Sequence, residues 1–356
     1  MNERYIRHIQ LDEVGSSGQQ KLGNAKVLVI GAGGLGCPIL QYLATSGIGT
    51  LGIVDHDIVS LSNLHRQILY TTADIGKNKA LVAQQKLQEL NSEINIKAHS
   101  VALTVENCLD ILKAYDIVVD GTDNFVTRYL INDACLLLDK PMVFGALYKF
   151  EGQVSVFNYK NGPSYRCLFP NPPAAGEVPN CNEIGVLGVL PGIIGLLQAN
   201  EVLKIILEIG QVLSGQILYI NTLNYQQRIL RFSRNEALIN SIKKKAKPEA
   251  VATDDCIFAS SISLQVLEDI ESVLWIDVRE LGETPILKAA NILKIPLSNF
   301  RLTPEIQNDG RRKIFFCQSG IRSKKATQMA IEKGVSNSFS LKEGAPELQY
   351  WLKQKR

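Results

Sequence analysis

The sequence predicts an α/β fold: a Rossmann-like, mostly parallel sheet with helices on both faces, followed by a small second α/β domain. Three observations carry this. Short β-branched runs alternate with helical stretches over the first two-thirds of the chain. A glycine-rich turn, Gly31-Ala32-Gly33-Gly34-Leu35-Gly36, stands between the first such run and a helical stretch. The pattern breaks off near Asn235 and restarts beyond a polar segment.

The elements follow in order. Lys26–Ile30 reads as a strand, residues 38–46 as a helix stopped by Gly47, and Thr50–Val54 as the next strand. Over residues 78–90, Leu81, Ala83, Leu87 and Leu90 fall close to helical spacing. Residues 116–119 and 142–144 read as buried strands, and 153–157 and 216–220 as later strands that extend or cap the sheet. The most apolar stretch, 192–209, carries Gln198, Asn200, Glu201, Lys204 and Glu208, which favours a buried helix over a membrane span. Residues 274–278 and 313–316 are expected strands and 323–333 an expected helix. Two domains result, 1–240 and 258–356, joined by a polar, basic linker at 241–257.

The chain has 356 residues, 46% of them hydrophobic, which is ample for two cores. Net charge is +3, and no basic block is longer than Lys243-Lys244-Lys245, so nucleic acid is not an expected partner. The start, Met1-Asn2-Glu3-Arg4, has no apolar signal core. Seven cysteines lie without a repeating spacing, which fits a cytoplasmic protein with some reactive thiols rather than a disulfide framework.

Gly31, Gly33, Gly34 and Gly36 form G-x-G-x-x-G after a strand and before a helix, a turn whose backbone can approach an anion at a helix N-terminus. Asp55 ends the next strand, where a carboxylate can hold ribose hydroxyls. This much does not separate NAD from ATP. Arg66, Lys79 and Asp123 do, because two cations and an isolated carboxylate suit a triphosphate with magnesium, whereas hydride transfer needs neither. The same set argues against a non-catalytic scaffold.

At this point the sequence resembles the MoeB/ThiF/HesA family of ubiquitin-activating-type enzymes. The resemblance covers about residues 1–235. It rests on Arg4 to Ile9, the glycine loop, Asp55-His56-Asp57, Leu61 to Gln67, Asp120 to Asn124, and Pro179 to Gly188. It implies that ATP and magnesium bind Asp55, Arg66, Lys79 and Asp123, with Asp57, Asn63, Gln67 and Asn124 lining the site. It implies that Arg7 reaches into the partner's site of a homodimer. It further implies adenylation of the C-terminal glycine of a small ubiquitin-fold sulfur carrier ending in Gly-Gly (MoaD- or ThiS-like). The pathway would be molybdopterin or thiamine biosynthesis.

Cys317 lies between a strand and a helix in Cys317-Gln318-Ser319-Gly320-Ile321-Arg322-Ser323. Loop N–H groups and the following helix would stabilise a thiolate or a persulfide. Phosphatases place Arg six residues after the cysteine; here Arg322 is five after, and the shorter loop favours a sulfur substrate. The segment resembles rhodanese domains through Asp277-Val278-Arg279-Glu280, this loop, and Leu341-Lys342-Glu343-Gly344, although Ala289-Ala290-Asn291-Ile292 stands where Gly-His-Ile is usual. That resemblance implies a persulfide donor upstream and a carrier thiocarboxylate as product.

In the ThiF branch a cysteine at the position of Cys181 forms an acyl link with the carrier; acyl link and spectator both stay open. Many relatives hold zinc with two Cys-x-x-Cys pairs. Here Ser164 replaces one member of the first pair, which leaves Cys167, and Glu236-Ala237-Leu238 replaces the second, so no zinc site is expected. Cys256 stands alone. Cys37, Cys108 and Cys135 are expected to pack as small hydrophobes, and His8, His56 and His65 lack ligand spacing.

Overall fold

The computed structural model describes residues 3–173, 185–249, 261–267, 271–287, 291–304, 306, 310–318, 320–335 and 337–355. The chain divides into two compact units, Met1–Thr253 and Asp254–Arg356.

The first unit is built on one sheet. Its strands are β1 (Lys26–Ile30), β2 (Thr50–Val54), β3 (Asn95–His99), β4 (Ile117–Asp120), β5 (Met142–Tyr148), β6 (Glu151–Phe157), β7 (Gln216–Asn221) and β8 (Gln226–Arg231). They lie in the order β3-β2-β1-β4-β5-β6-β7-β8. Pairing is parallel from β3 to β5 and antiparallel from β5 to β8. The order reverses between β1 and β4, and in such sheets a crevice opens there at the carboxyl ends.

The helices are α1 (Ile6–Ile9), α2 (Gly15–Asn24), α3 (Gly36–Thr45), α4 (Lys79–Leu90), α5 (Cys108–Leu112), α6 (Phe125–Leu137), α7 (Tyr165–Leu168), α8 (Val189–Leu207) and α9 (Glu236–Lys243). Alternate residues of β1 feed two cores: Val27 and Val29 pack with α3, α4 and α8, and Leu28 and Ile30 with α5 and α6. Both faces are therefore covered, as an all-apolar strand requires.

Helix α8 is long and apolar enough to cross a membrane, but it lies in the core, as its polar residues imply. Gln198 and Glu201 are buried, and each has a backbone partner: Gln198 Nε2 donates to Asp120 O at 2.7 Å, and Glu201 Oε2 accepts from Leu213 N–H at 2.9 Å.

The structure adds the buried face of α4 and moves the start of the linker. On α4 the buried face is Ala80, Val82, Ala83 and Leu87, while Leu81 is 52% exposed and Leu90 40%. Small residues sit closest to the sheet there, and the two large leucines fall outside. The expected linker begins too early, because α9 runs to Lys243. Asn235 caps that helix, accepting the Leu238 N–H at 3.1 Å, and Ile239 and Ile242 pack on Leu136. The strand β8 gave no signal in the sequence, since every residue in it is exposed.

In the second unit, β9 (Ser261–Ile262), β10 (Val273–Asp277), β11 (Ile292–Lys294), β12 (Arg312–Phe316) and β13 (Ser338–Leu341) form a sheet in the order β11-β10-β12-β13-β9. All its pairings are parallel. Helices α10 (Ile321–Glu332) and α11 (Ala345–Gln354) follow β12 and β13. The order reverses between β10 and β12, the strand that Cys317 follows.

A close backbone approach shapes the glycine loop at Gly36, where an added Cβ would lie 1.9 Å from the Gly31 carbonyl oxygen. No rotamer relieves a clash with backbone. Gly36→Ala is expected to lower stability by about 1–3 kcal/mol or more. A melting curve checks it, and an unchanged midpoint contradicts this packing.

Candidate functional site

Strand register assembles the first site. Ile30 lies beside Val54 on one side and Asp120 on the other, so the next residues, Gly31, Asp55 and Gly121, emerge together at one sheet edge. Gly31 has φ +93°, and a Cβ there would stand 2.6 Å from Gly121 O. Its N–H donates to Val54 O at 2.8 Å, and the Gly121 N–H donates to Ile30 O at 2.8 Å. The glycine loop and the loop bearing Asp123 are thus locked backbone to backbone.

Asp55 fixes the glycine loop from the other side. Its Oδ2 accepts the Ala32 N–H at 2.8 Å and its Oδ1 the Asp57 N–H at 2.8 Å. Burial pushes the Asp55 carboxyl up from its ordinary value, against the pull of the Ala32 N–H and of Lys79. Beyond Ala32, the N–H groups of Gly33, Gly34, Leu35 and Gly36 make no hydrogen bond to a described residue. A Cβ on Gly33 would meet only Gln67 Nε2, at 3.6 Å. The loop is thus open at Gly33, and its unpaired donors at the start of α3 form a cradle suited to phosphate.

The cations stand around this cradle. Lys79 begins α4, is 5% exposed, and donates from Nζ to Asp57 Oδ2 at 2.9 Å. Asn78 holds the turn at Asp55–Asp57 to α4 by donating to Asp55 O at 3.3 Å and Asp57 O at 3.2 Å. Arg66 passes its Cγ 3.6 Å from the β-position of Gly34, and its exposed guanidinium donates to Ser62 O at 3.0 Å. Gln67 is buried with Oε1 unpartnered among the described residues. Such a lone acceptor suits a ligand donor.

Asp123 is exposed and makes no hydrogen bond or ion pair to a described residue, so its carboxylate is available to a cation. Two expected site residues carry local structural duties as well. Asn124 Oδ1 caps α6 by accepting the Thr127 N–H at 2.9 Å, and its amide nitrogen stays available to a ligand. Asn63 Oδ1 accepts the Ser60 N–H at 3.3 Å and closes its own turn. Arg7 is exposed on α1, where it donates to Gln10 Oε1 at 3.3 Å. Within one chain it joins none of the groups above.

The second site is a thiol loop. Cys317 is fully buried, and the Gly320 N–H donates to its Sγ at 3.1 Å. Gly320, with φ +88°, opens α10. The Asp-Val-Arg-Glu segment is fixed by a buried fork, Arg279 to both oxygens of Asp277 at 2.8 and 2.7 Å. Arg322 makes a second fork to Glu283, at 2.5 and 2.8 Å. That bond holds Glu283 at about 2. No motif points to this pair, whose members lie 39 residues apart.

The remaining cysteines divide by environment. Burial pushes the thiols of Cys37, Cys108 and Cys135 up, Cys37 to about 12, so they pack as expected and are poor nucleophiles. Cys167 Sγ accepts the N–H groups of Ser164 at 3.4 Å and Asn235 at 3.3 Å. Arg234 ties the same corner by donating to Asn161 O at 3.1 Å, Gly162 O at 2.9 Å and Glu236 at 2.6 Å. One thiol beside a serine and an ion pair does not fit tetrahedral zinc. Cys181 and Cys256 lie outside the described residues. Of the four histidines, His8 bonds Gln19 and His99 bonds the Tyr115 hydroxyl, His56 lies 3.5 Å from Asp57, and His65 meets Ser62 O at 3.0 Å and Arg66 at 3.5 Å.

A profile of the ThiF family matches residues 5–240. The sulfur carrier protein adenylyltransferase of Thermus thermophilus is 54% identical over 238 residues, 65% of this chain and 88% of the relative. The probable adenylyltransferase/sulfurtransferase MoeZ of Mycobacterium tuberculosis is 38% identical over 367 residues, 99% of this chain and 93% of the relative. The adenylyltransferase and sulfurtransferase MOCS3 of Culex quinquefasciatus is 49% identical over 269 residues, of which this chain spans 58% of the relative's length and 75% of its own. Among solved structures, E. coli MccB with MccA-N7isoASN has a TM-score of 0.58 at 25% identity, covering 65% of this chain and 72% of that one.

The Glu283–Arg322 fork has a pH signature. Its carboxyl is lowered from 4.5 to about 2, so the stabilisation is full above 4.5 and is lost as pH falls toward 2. Glu283→Gln is expected to weaken the second unit at neutral pH, with the gap from wild type closing below pH ~4. Urea unfolding at several pH values checks this; a gap independent of pH contradicts it.

Proposed function

The chain belongs to the ThiF family, and from that membership we propose that its first unit adenylates the C-terminal glycine of a small ubiquitin-fold sulfur carrier on the glycine loop, using ATP and magnesium. The chain is an enzyme, an adenylyltransferase with sulfurtransferase activity. One observation supports this placement most: the unpaired N–H donors of Gly33–Gly36 and an exposed Asp123 without a described partner, on two loops at the same sheet edge.

In this reading the carrier carboxylate attacks the α-phosphorus, the bond to the bridging oxygen breaks, and pyrophosphate leaves. The residues position and neutralise rather than react. The loop N–H groups hold phosphate oxygens. Lys79 exchanges its bond with Asp57 for one with phosphate, and Arg66 steadies the leaving pyrophosphate. Asp55 keeps acceptor capacity beyond its two backbone bonds and takes ribose hydroxyls. Gln67 Oε1 gains the donor it lacks. Magnesium, when held by Asp123, supplies further charge neutralisation at the phosphates.

Cys317 carries the sulfur as a persulfide loaded by an upstream donor. Its terminal sulfur attacks the acyl carbon and AMP leaves. A second thiol then attacks Cys317 Sγ, giving a disulfide and the carrier thiocarboxylate; an external thiol reduces the disulfide. Cys181 is a candidate for the second thiol or for an acyl link. A homodimer would bring Arg7 of one subunit to the other's site. A MoaD-like carrier would place the enzyme in molybdopterin synthesis, and a ThiS-like one in thiamine synthesis.

Paired variants separate the two units. Asp123→Ala should abolish carrier-dependent exchange of pyrophosphate into ATP while persulfide still loads on Cys317. Cys317→Ala should do the reverse, losing thiocarboxylate and keeping exchange near wild type. Isotope exchange and mass spectrometry of the carrier read both. Normal exchange in Asp123→Ala, or wild-type thiocarboxylate in Cys317→Ala, would sink the corresponding assignment.

A further inference from the structure

Beneath Asp123 lies a buried polar network that the reaction scheme does not use. Asp120 is fully buried at the end of β4. Its Oδ2 accepts from Arg128 Nε at 2.9 Å, and its Oδ1 accepts both the Thr122 N–H at 2.9 Å and the Thr122 Oγ1–H at 2.6 Å. Arg128, 6% exposed on α6, also donates through Nη2 to Thr122 O at 3.1 Å and Gly145 O at 3.4 Å. Its guanidinium lies 4.9 Å from the centre of the Phe144 ring. From α8, Gln198 donates to Asp120 O at 2.7 Å.

Every described polar group of Thr122 is thereby tied, and Asn124 is pinned one residue past Asp123 by its cap on α6. Asp123 is the one side chain between Thr122 and Asn124, and it faces solvent. An ion pair buried this deeply is a poor source of net stability, since desolvation offsets its attraction. What it does supply is geometry: Asp120 takes Arg128 on one oxygen and Thr122 on the other, and Arg128 also holds the Thr122 carbonyl, so the loop backbone is tied at Thr122 from both groups.

We propose that Asp120, Arg128 and Thr122 are positioning residues that hold the Asp123 carboxylate where it binds the divalent cation. This rests on the reading of Asp123 as a cation ligand. The network acts through the loop backbone and touches neither nucleotide nor carrier.

The test uses the full chain with Mn²⁺ as the probe, counted by electron paramagnetic resonance in the presence of a non-hydrolysable ATP analogue. Thr122→Val keeps the volume and the ion pair but removes the hydroxyl bond; Asp120→Asn removes the charge. Both are expected to weaken Mn²⁺ binding about tenfold. Affinity for the analogue without metal should stay within about twofold of wild type, and Thr122→Ser should restore Mn²⁺ binding. In an Asp123→Ala background neither change should cost anything more, because the group being positioned is gone. Melting curves identify the folded variants, and Thr122→Val, which leaves the Arg128 pair intact, decides the matter if Asp120→Asn does not fold. Unchanged Mn²⁺ affinity in a folded Thr122→Val, or an equal further loss on Asp123→Ala, overturns the proposal. A wild-type Mn²⁺ site indifferent to Asp123→Ala would instead overturn the reading on which it rests.

Discussion

The constraint on which the first unit depends is the contact between two stretches of backbone, Gly31 and Gly121. Neither tolerates a side chain: a Cβ on Gly31 would stand 2.6 Å from Gly121 O, and one on Gly121 would stand 2.9 Å from Gly31 O. The contact closes the switch point between β1 and β4, so two loops far apart in sequence share one wall. The phosphate cradle comes from one of them and Asp123 from the other. Gly36 adds the second condition by bringing the first turn of α3 against the Gly31 carbonyl. With those approaches fixed, the glycine loop and the loop bearing Asp123 leave the sheet at the same edge.

The two units repeat one architectural idea with different chemistry. In each, a parallel sheet reverses strand order and the reactive loop follows a strand at the reversal, β1 and β4 in the first and β12 in the second. The electrostatics differ. In the first unit the partners of the cradle cations can be exchanged for phosphate: Lys79 is held by an exposed Asp57, and Arg66 by a carbonyl. In the second the guanidinium groups are committed to forks with Asp277 and Glu283. A sulfur anion at Cys317 would therefore rest on backbone donors such as Gly320 N–H, which suits a persulfide better than a phosphate dianion.

What was legible in the sequence was local. The strands Lys26–Ile30 and Thr50–Val54 match their β-branched runs residue for residue, and the glycine loop sits where the turn demanded it. The parallel sheet followed from alternation alone. The errors and omissions are non-local. The apolar spacing of residues 78–90 marks a helix without fixing its buried face: Ala80 and Ala83 are buried, whereas Leu81 and Leu90 are exposed. The end of the first unit was misplaced because α9 is short and its apolar residues, Ile239 and Ile242, are separated by polar ones. Among the site residues, Asp55, Lys79 and Asp123 were named from motifs, but the pairing of Lys79 with Asp57 and the capping duties of Asn63 and Asn124 came only with the fold. Arg128 was missed altogether. Its position eight residues after Asp120 carries no motif, and its meaning depends on the turn between β4 and α6 that brings the two together.

Everything proposed for the first unit requires the glycine loop to take a triphosphate with magnesium rather than a dinucleotide. Calorimetric titration of the intact chain with ATP, with and without Mg²⁺, and separately with NAD, tests that directly. The account predicts ATP binding that tightens with Mg²⁺ and no measurable NAD binding. NAD binding as tight as ATP, or ATP binding indifferent to Mg²⁺, would contradict it.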